Sequence, residues 1–151
     1  MILIRKAAAA DADIISRFQV QMARETENIE LDTRVVAKGV SAVFADPHKG
    51  CYYVAEIEGV IAGSLLTTKE WSDWRNCSMV WIQSVYVVPA YRQRGVFSRL
   101  YGHIRQRVEN EPDLGGIRLY VEKANKKARS TYSRLGMVIS HYRMFEWIPG
   151  N

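Results

Sequence analysis

The sequence predicts an α+β fold, a mixed sheet with helices on its faces, and three observations carry that expectation. Apolar residues recur at helical spacing in three stretches. Runs rich in β-branched and aromatic residues, each of strand length, lie between them. Turn residues mark the changes from one period to the other. The resulting order is β-α-α-β-β-β-α-β-α-β, which suits helices packed on a mixed sheet. No repeat, linker or low-complexity segment interrupts it. The 151 residues are about the size of one compact domain, so residues 1–151 read as a single domain.

Each element has its own signal. Ile2, Leu3 and Ile4 open a first strand, and Asp11 and Asp13 offer N-caps to a helix carrying Ile14, Ile15, Phe18 and Met22. Asp32 caps a second helix with Val35, Val36, Val40, Val43 and Phe44, closed by the Asp46-Pro47 turn. Residues 51–56 and 60–68 form a hairpin about Glu58-Gly59. Residues 69–77, polar and aromatic, read as a connecting loop, and 79–88 as a long central strand ended by Pro89. Val96, Leu100, Ile104 and Val108 share one face of a third helix. Residues 117–121 are a strand, 125–135 a short helix ended by Gly136, and 137–147 a last strand.

Composition narrows the chemistry. A net charge of +5 invites an anionic ligand, which could be a nucleic acid or a phosphorylated cofactor. Cys51 and Cys77 form no C-x-x-C or Cys/His cluster, so neither a disulfide scaffold nor a metal site is expected, and the cytoplasm is the expected location. No stretch approaches the roughly 20 apolar residues of a membrane span, so no membrane association is expected. Residues 1–10 read as a strand entering a helix rather than an export signal.

The informative segment is 85–100, strand, turn and helix. Gly95 at the helix start presents backbone N–H groups that lack an intrahelical acceptor, and the helix dipole adds to their attraction for a pyrophosphate. Arg92 and Arg94 would add charge-assisted bonds. Val85-x-Val87 followed by Arg92-x-x-Gly95 resembles the acyl-CoA-binding signature of the GNAT superfamily of N-acetyltransferases, whose loop reads Gln/Arg-x-x-Gly-x-Gly/Ala. Phe97 stands where that pattern has Gly or Ala. Downstream, Asn125-x-x-Ala128-x-x-x-Tyr132-x-x-x-Gly136-Met137 resembles the family's later motif. Asn125 and Tyr132, seven residues apart, can share one helix face.

The resemblance implies a GNAT-like, mostly antiparallel sheet of six to seven strands with about four helices. Its central strands, ending near Val87 and Val121, splay apart to hold acetyl-CoA. It implies cofactor contacts from Val85, Tyr86, Val87, Arg92, Gln93, Arg94, Gly95, Val96, Phe97, Ser98, Asn125, Ala128 and Tyr132. The Val87 N–H would polarise the thioester carbonyl, and Tyr132 would protonate the departing thiolate. A homodimer, common in the family, is the default expectation. Some relatives place a glutamate base where this chain has Gln83, which cannot act as one. Glu25, Glu27 and Glu30 lie between the first two helices, and Asp73 sits beside Trp71 and Trp74. These carboxylates and aromatics, with Gln83, are the candidate acceptor-side residues for a cationic amine, and Glu27 the candidate base. Two rivals stand beside the enzyme reading. One is a non-catalytic acyl-CoA sensor on the same fold. The other is a nucleic-acid module using Arg92, Arg94, Arg99, Arg105 and Arg107, although no stacking or helix-turn-helix motif accompanies them, so no nucleic acid is expected as a partner.

Overall fold

The computed structural model describes residues 1–150. Their contacts divide them into two compact units, Met1–Tyr120 and a second that begins at Val121.

In the first unit, β1 (Ile2–Lys6) passes through a 3₁₀ turn at Ala9–Asp11 into α1 (Ala12–Glu27). Asp11 does not cap α1 through its side chain. Its carboxylate instead accepts the Ala8 N–H at 2.7 Å and the Arg5 guanidinium at 2.8 Å, which ties the strand to the turn. Those two donors, Arg5 above all, hold Asp11 below the usual carboxylate range. Asp32 does cap α2 (Thr33–Ala45), accepting the Arg34 N–H at 2.9 Å. β2 (Cys51–Ile57) and β3 (Val60–Ser72) then meet at Glu58 and Gly59, whose φ angles of 51° and 79° make the left-handed two-residue turn that suits a twisted hairpin. β4 (Cys77–Val87), α3 (Val96–Asn110) and β5 (Leu114–Leu119) complete this unit.

The sheet runs β1-β2-β3-β4-β5, antiparallel throughout except for the parallel β4–β5 pair. β3 is longer than its sequence suggests, because the polar run 69–72 stays in the ladder. Lys69 pairs with Val80 and Ser72 with Cys77, and Arg118 on β5 reaches back to Glu70 at 2.6 Å. Only residues 73–76 of the expected loop 69–77 are a turn.

Side chains alternate across the sheet. On β2, Tyr52 and Val54 join Ala7, Ile15 and Val40 in a buried cluster with α1 and α2. Tyr53, one residue out of phase, meets His103 and Arg107 of α3 on the opposite face. α3 lies across all five strands and buries Val96, Leu100 and Ile104. Removing a side chain such as Leu100, fully enclosed, would cost about 2–5 kcal/mol.

In the second unit, α4 (Lys126–Arg134) is capped by Asn125 and followed by Gly136 at φ 89°. The strand expected over 137–147 does not form. A strand exists only through a neighbouring ladder, and these residues enter none among the described residues. The fold is therefore the expected mixed, mostly antiparallel α+β architecture, with five strands in the described residues rather than six or seven. No helix among the described residues is long and apolar enough to cross a membrane.

Candidate active site

The parallel β4–β5 register ends at Ile82 opposite Leu119, while β4 continues to Val87. Residues 83–87 thus leave β5, and the central strands open as expected. On the other edge β4 carries a bulge. Three steps from Gln83 to Tyr86 match two on β3, from Leu66 to Ser64, and Ser84 takes a left-handed φ of 52°. After the bulge Val88 donates its N–H to Ala62 of β3 at 2.8 Å. Neighbouring residues of a strand face opposite sides, so Val87 turns its backbone groups away from β3. The Val87 carbonyl indeed accepts from Arg92 Nε at 2.8 Å.

The turn after Pro89–Tyr91 has left-handed residues at Gln93 (φ 62°) and Gly95 (φ 78°). Gly95 is the N-cap of α3, and no side chain caps the first turn among the described residues. The Arg99 N–H to the Gly95 carbonyl, 3.0 Å, is an early intrahelical bond, and the N–H groups ahead of it are the helix's orphan donors. A Cβ placed on Gly95 would meet nothing within 4 Å, so the space over this turn is open. An open, uncapped helix start fits a pyrophosphate. Buried Val96 anchors the turn, while Gln93, Arg94 and Ser98 are exposed around it. Phe97 is half-buried, its ring 6.2 Å from that of Tyr101 on the next turn of the helix.

Arg92 is engaged differently from expectation. Besides the Val87 carbonyl, its guanidinium meets Glu25 at 2.6 Å and lies 5.5 Å from the Tyr86 ring centroid. The other oxygen of Glu25 accepts from the Tyr86 hydroxyl at 3.1 Å, and Phe18 packs on the Tyr86 ring at 5.0 Å. Burial, then the bond to Glu25, pushes the Tyr86 phenol above its ordinary value. One carboxylate from the last turns of α1 thus joins the end of β4 to the turn before α3.

The remaining predicted residues divide. Glu27 is exposed, and Glu30 pairs with Arg24 at 2.6 Å. Gln83 donates to Thr68 Oγ1 at 2.8 Å. Trp71, Asp73 and Trp74 lie at the β3–β4 hairpin tip beside Cys77, the opposite end of the 11-residue β4 from Val87. At about 3.3 Å per residue the separation is about 30 Å, so the structure does not bring them to the open end. In the second unit, Asn125 Oδ1 accepts the Ala128 N–H at 3.1 Å, a helix-capping duty. Burial pushes the Tyr132 phenol above its ordinary value, which favours the protonated form. Sequence reasoning missed the Ser84 bulge, for which a serine gives no signal. It did not single out Glu25 from its neighbours, although Glu25 lies seven residues after Phe18, hence on the same helix stripe, and Glu27 does not.

The Acetyltransferase (GNAT) family matches residues 14–137. A solved structure of a possible acetyltransferase from Clostridium difficile 630 is 42% identical, with a TM-score of 0.92 over 98% of this chain and 97% of that one. A predicted acetyltransferase with acetyl-CoA from Clostridium acetobutylicum shares the fold at 18% identity and a TM-score of 0.75, covering 100% and 96% of the two chains. A ribosomal-protein-alanine N-acetyltransferase from Brucella melitensis biovar Abortus 2308 does so at 13% identity and a TM-score of 0.81, covering 99% and 100%. Comparison with curated proteins gave no match. The family match over most of the chain agrees with the splayed strands and the glycine turn, and the protein is a member of the GNAT acetyltransferase family.

Proposed function

We propose that this acetyltransferase moves the acetyl group of acetyl-CoA to a primary amine of a small molecule or peptide, by direct attack in a ternary complex. The observation that carries the proposal is the open end of β4, where backbone groups turned from β3 lead through the turn at Pro89–Tyr91 to an uncapped helix start whose N-cap, Gly95, has a left-handed φ. The family match crosses the boundary between the two units, which supports one acetyltransferase domain over the chain.

Acetyl-CoA would supply the acetyl group as a thioester. Residues 85–87 would pair with its pantetheine arm in the manner of an added strand. The turn 93–98 would hold the pyrophosphate through backbone N–H groups, with Arg94 beside them. The Val87 N–H faces the side left by β5 and is the donor proposed to polarise the thioester carbonyl. Tyr132, kept protonated by burial, is the proposed proton donor to the leaving sulfur. On the acceptor side Glu25 is the carboxylate proposed to attract an ammonium, ahead of Glu27, because it alone of the three reaches β4. The basic residues of α3 favour this reading over nucleic-acid binding, since Arg105 pairs with Glu109 and Arg107 with Glu111. Free Cys51 and Cys77 suit a reducing cytoplasm.

The experiment has two stages. Acetyl-CoA should raise Tm, about 2.7 kcal/mol of stabilisation being expected at a hundredfold excess over Kd. Thiol release against a panel of amines should then identify the acceptor class. No thermal shift would sink the proposal. Binding without turnover on any amine would leave an acyl-CoA sensor.

A further inference from the structure

We propose that Arg92 is a positioning residue for acetyl transfer, which fixes the Val87–Val88 peptide so that the Val87 N–H faces the thioester. Of the two arginines in the turn, Arg94 is then the one that serves the phosphates. The inference rests on the acetyl-CoA reading and deepens it.

The peptides after the β4 bulge are trans, so each points its C=O and N–H to opposite sides. The Tyr86 carbonyl oxygen lies toward β3, 2.7 Å from where a Cβ on Gly63 would stand, so only glycine lets the two backbones come this close. The Val87 N–H of that peptide therefore points to the side that β5 has left. In the next peptide the order is reversed. The Val88 N–H bonds Ala62 of β3 at 2.8 Å, which turns the Val87 carbonyl to the open side. Residue 87 thus carries one donor and one acceptor there. An acceptor beside a developing oxyanion opposes it.

Arg92 takes up that acceptor. Its Nε donates to the Val87 carbonyl at 2.8 Å while Nη2 donates to Glu25 at 2.6 Å. The guanidinium lies 5.5 Å from the Tyr86 ring centroid, and the Tyr86 hydroxyl donates to the other oxygen of Glu25 at 3.1 Å. The backbone brings Arg92 back to Val87 through the turn in which Tyr91 and Arg92 donate to the Val88 and Pro89 carbonyls, at 2.9 and 3.2 Å. The 87–88 peptide is clamped from both sides, by β3 and by a planar fork that Glu25 holds in place. Arg94 is engaged otherwise. It is exposed, 5.7 Å from the Tyr91 ring centroid, and makes no ion pair among the described residues, so its charge is available to a phosphate.

The two duties predict different losses. With acetyl-CoA and the panel amine that turns over fastest, Arg92→Gln should lower kcat by about tenfold to a hundredfold and change the Kd for acetyl-CoA by less than about twofold. Arg94→Gln should weaken that Kd by about tenfold, the larger of its effects. Arg92→Lys keeps the charge a phosphate needs but not the fork, so its kcat should stay low. Without any ligand, exchange of the Val88 N–H should quicken by at least about tenfold in Arg92→Gln, with Tm little changed because the Glu25 pair is part exposed. A tenfold loss in Kd with kcat kept, or full kcat in Arg92→Lys, would make Arg92 a phosphate ligand and overturn the proposal. Unchanged Val88 exchange would overturn it as well. If Arg92→Gln does not fold, Arg92→Lys carries both measurements. No thermal shift of the wild type with acetyl-CoA would remove the cofactor reading and this proposal with it, a result that involves no variant and so stays separate.

Discussion

The two ends of β4 carry similar residues and have opposite consequences. At its amino end, Cys77 closes a regular hairpin with Ser72, and β5 pairs with it from Ser78 to Ile82 with one register shift after Ser78. From Ser78 to Ile82 every residue of the strand has a neighbour on each side. At its carboxyl end β5 has departed, Ser84 has inserted a bulge, and the next turn holds two left-handed residues. Aromatic and acidic side chains occur at both ends, as Trp71, Asp73 and Trp74 at one and Tyr86 with Glu25 at the other. Only the second set faces backbone groups with no ladder partner. Where a ladder is complete, polar side chains decorate a surface. Where it opens, they surround donors that a ligand can use.

The largest expected effect breaks the open end. Gly95→Glu places bulk and negative charge over the helix start, and the Tm shift caused by acetyl-CoA should vanish. The φ of 78° adds a cost of roughly 1–2 kcal/mol for any residue with a Cβ. Gly95→Ala separates the two effects, because it carries the same strain without the charge and should keep part of the shift. Thermal melts with and without acetyl-CoA measure both. A full shift in Gly95→Glu would remove the turn from the cofactor site.

Next in size is Tyr132→Phe, which should lower kcat by about 10²-fold and leave the acetyl-CoA shift intact. Burial holds the phenol above its ordinary value of 10.0, so in the wild type Tyr132 keeps its proton across neutral pH. The wild-type alkaline limb from this group should therefore lie above pH 10.0. A variant with unchanged kcat, chemistry being rate-limiting, would give the proton to another group.

Much of this was legible in the residues, and the failures have physical causes. Gly95 could be read because glycine alone takes a left-handed φ at little cost, and a helical stripe follows it. Gln93 and Ser84 take similar φ angles, yet neither residue type announces one. The run 69–72 looked like a loop since it lacks apolar alternation. It is a strand because its partner side, Cys77 to Val80, continues and Arg118 meets Glu70, both long-range facts. The tail 137–147 has a strand's composition, but composition names no partner. Glu25, Glu27 and Glu30 look alike as letters, and only the phase set by Phe18 selects Glu25.

Glu25→Gln is the third and milder test. The glutamine could still accept from Tyr86 but would lack the charge that holds Arg92. Both partners are 39% exposed, so the ion pair is worth at most about 1 kcal/mol. Tm should barely move, and the acceptor KM should rise by at most about fivefold, with Glu27→Gln unchanged as the control. A loss confined to Glu27→Gln would reverse the assignment of the acceptor side.

The smallest effect is expected at the closed end, and it is the sharpest check on the contrast. Trp74 is 88% exposed at the hairpin tip, about 30 Å along β4 from Val87. Its indole covers no core, and Asp73 beside it spends one oxygen on the Trp74 N–H at 2.9 Å. Trp74→Ala and Asp73→Asn should each change stability by no more than about 0.5 kcal/mol. Their kcat, KM for the amine and acetyl-CoA shift should match wild type. Steady-state kinetics with the acceptor found in the thiol-release screen, beside Glu25→Gln in the same assay, make the comparison direct. A tenfold rise in acceptor KM from Trp74→Ala would mean that the tip meets the substrate. The acceptor would then have to be long enough to span the strand, as a peptide is and a small amine is not.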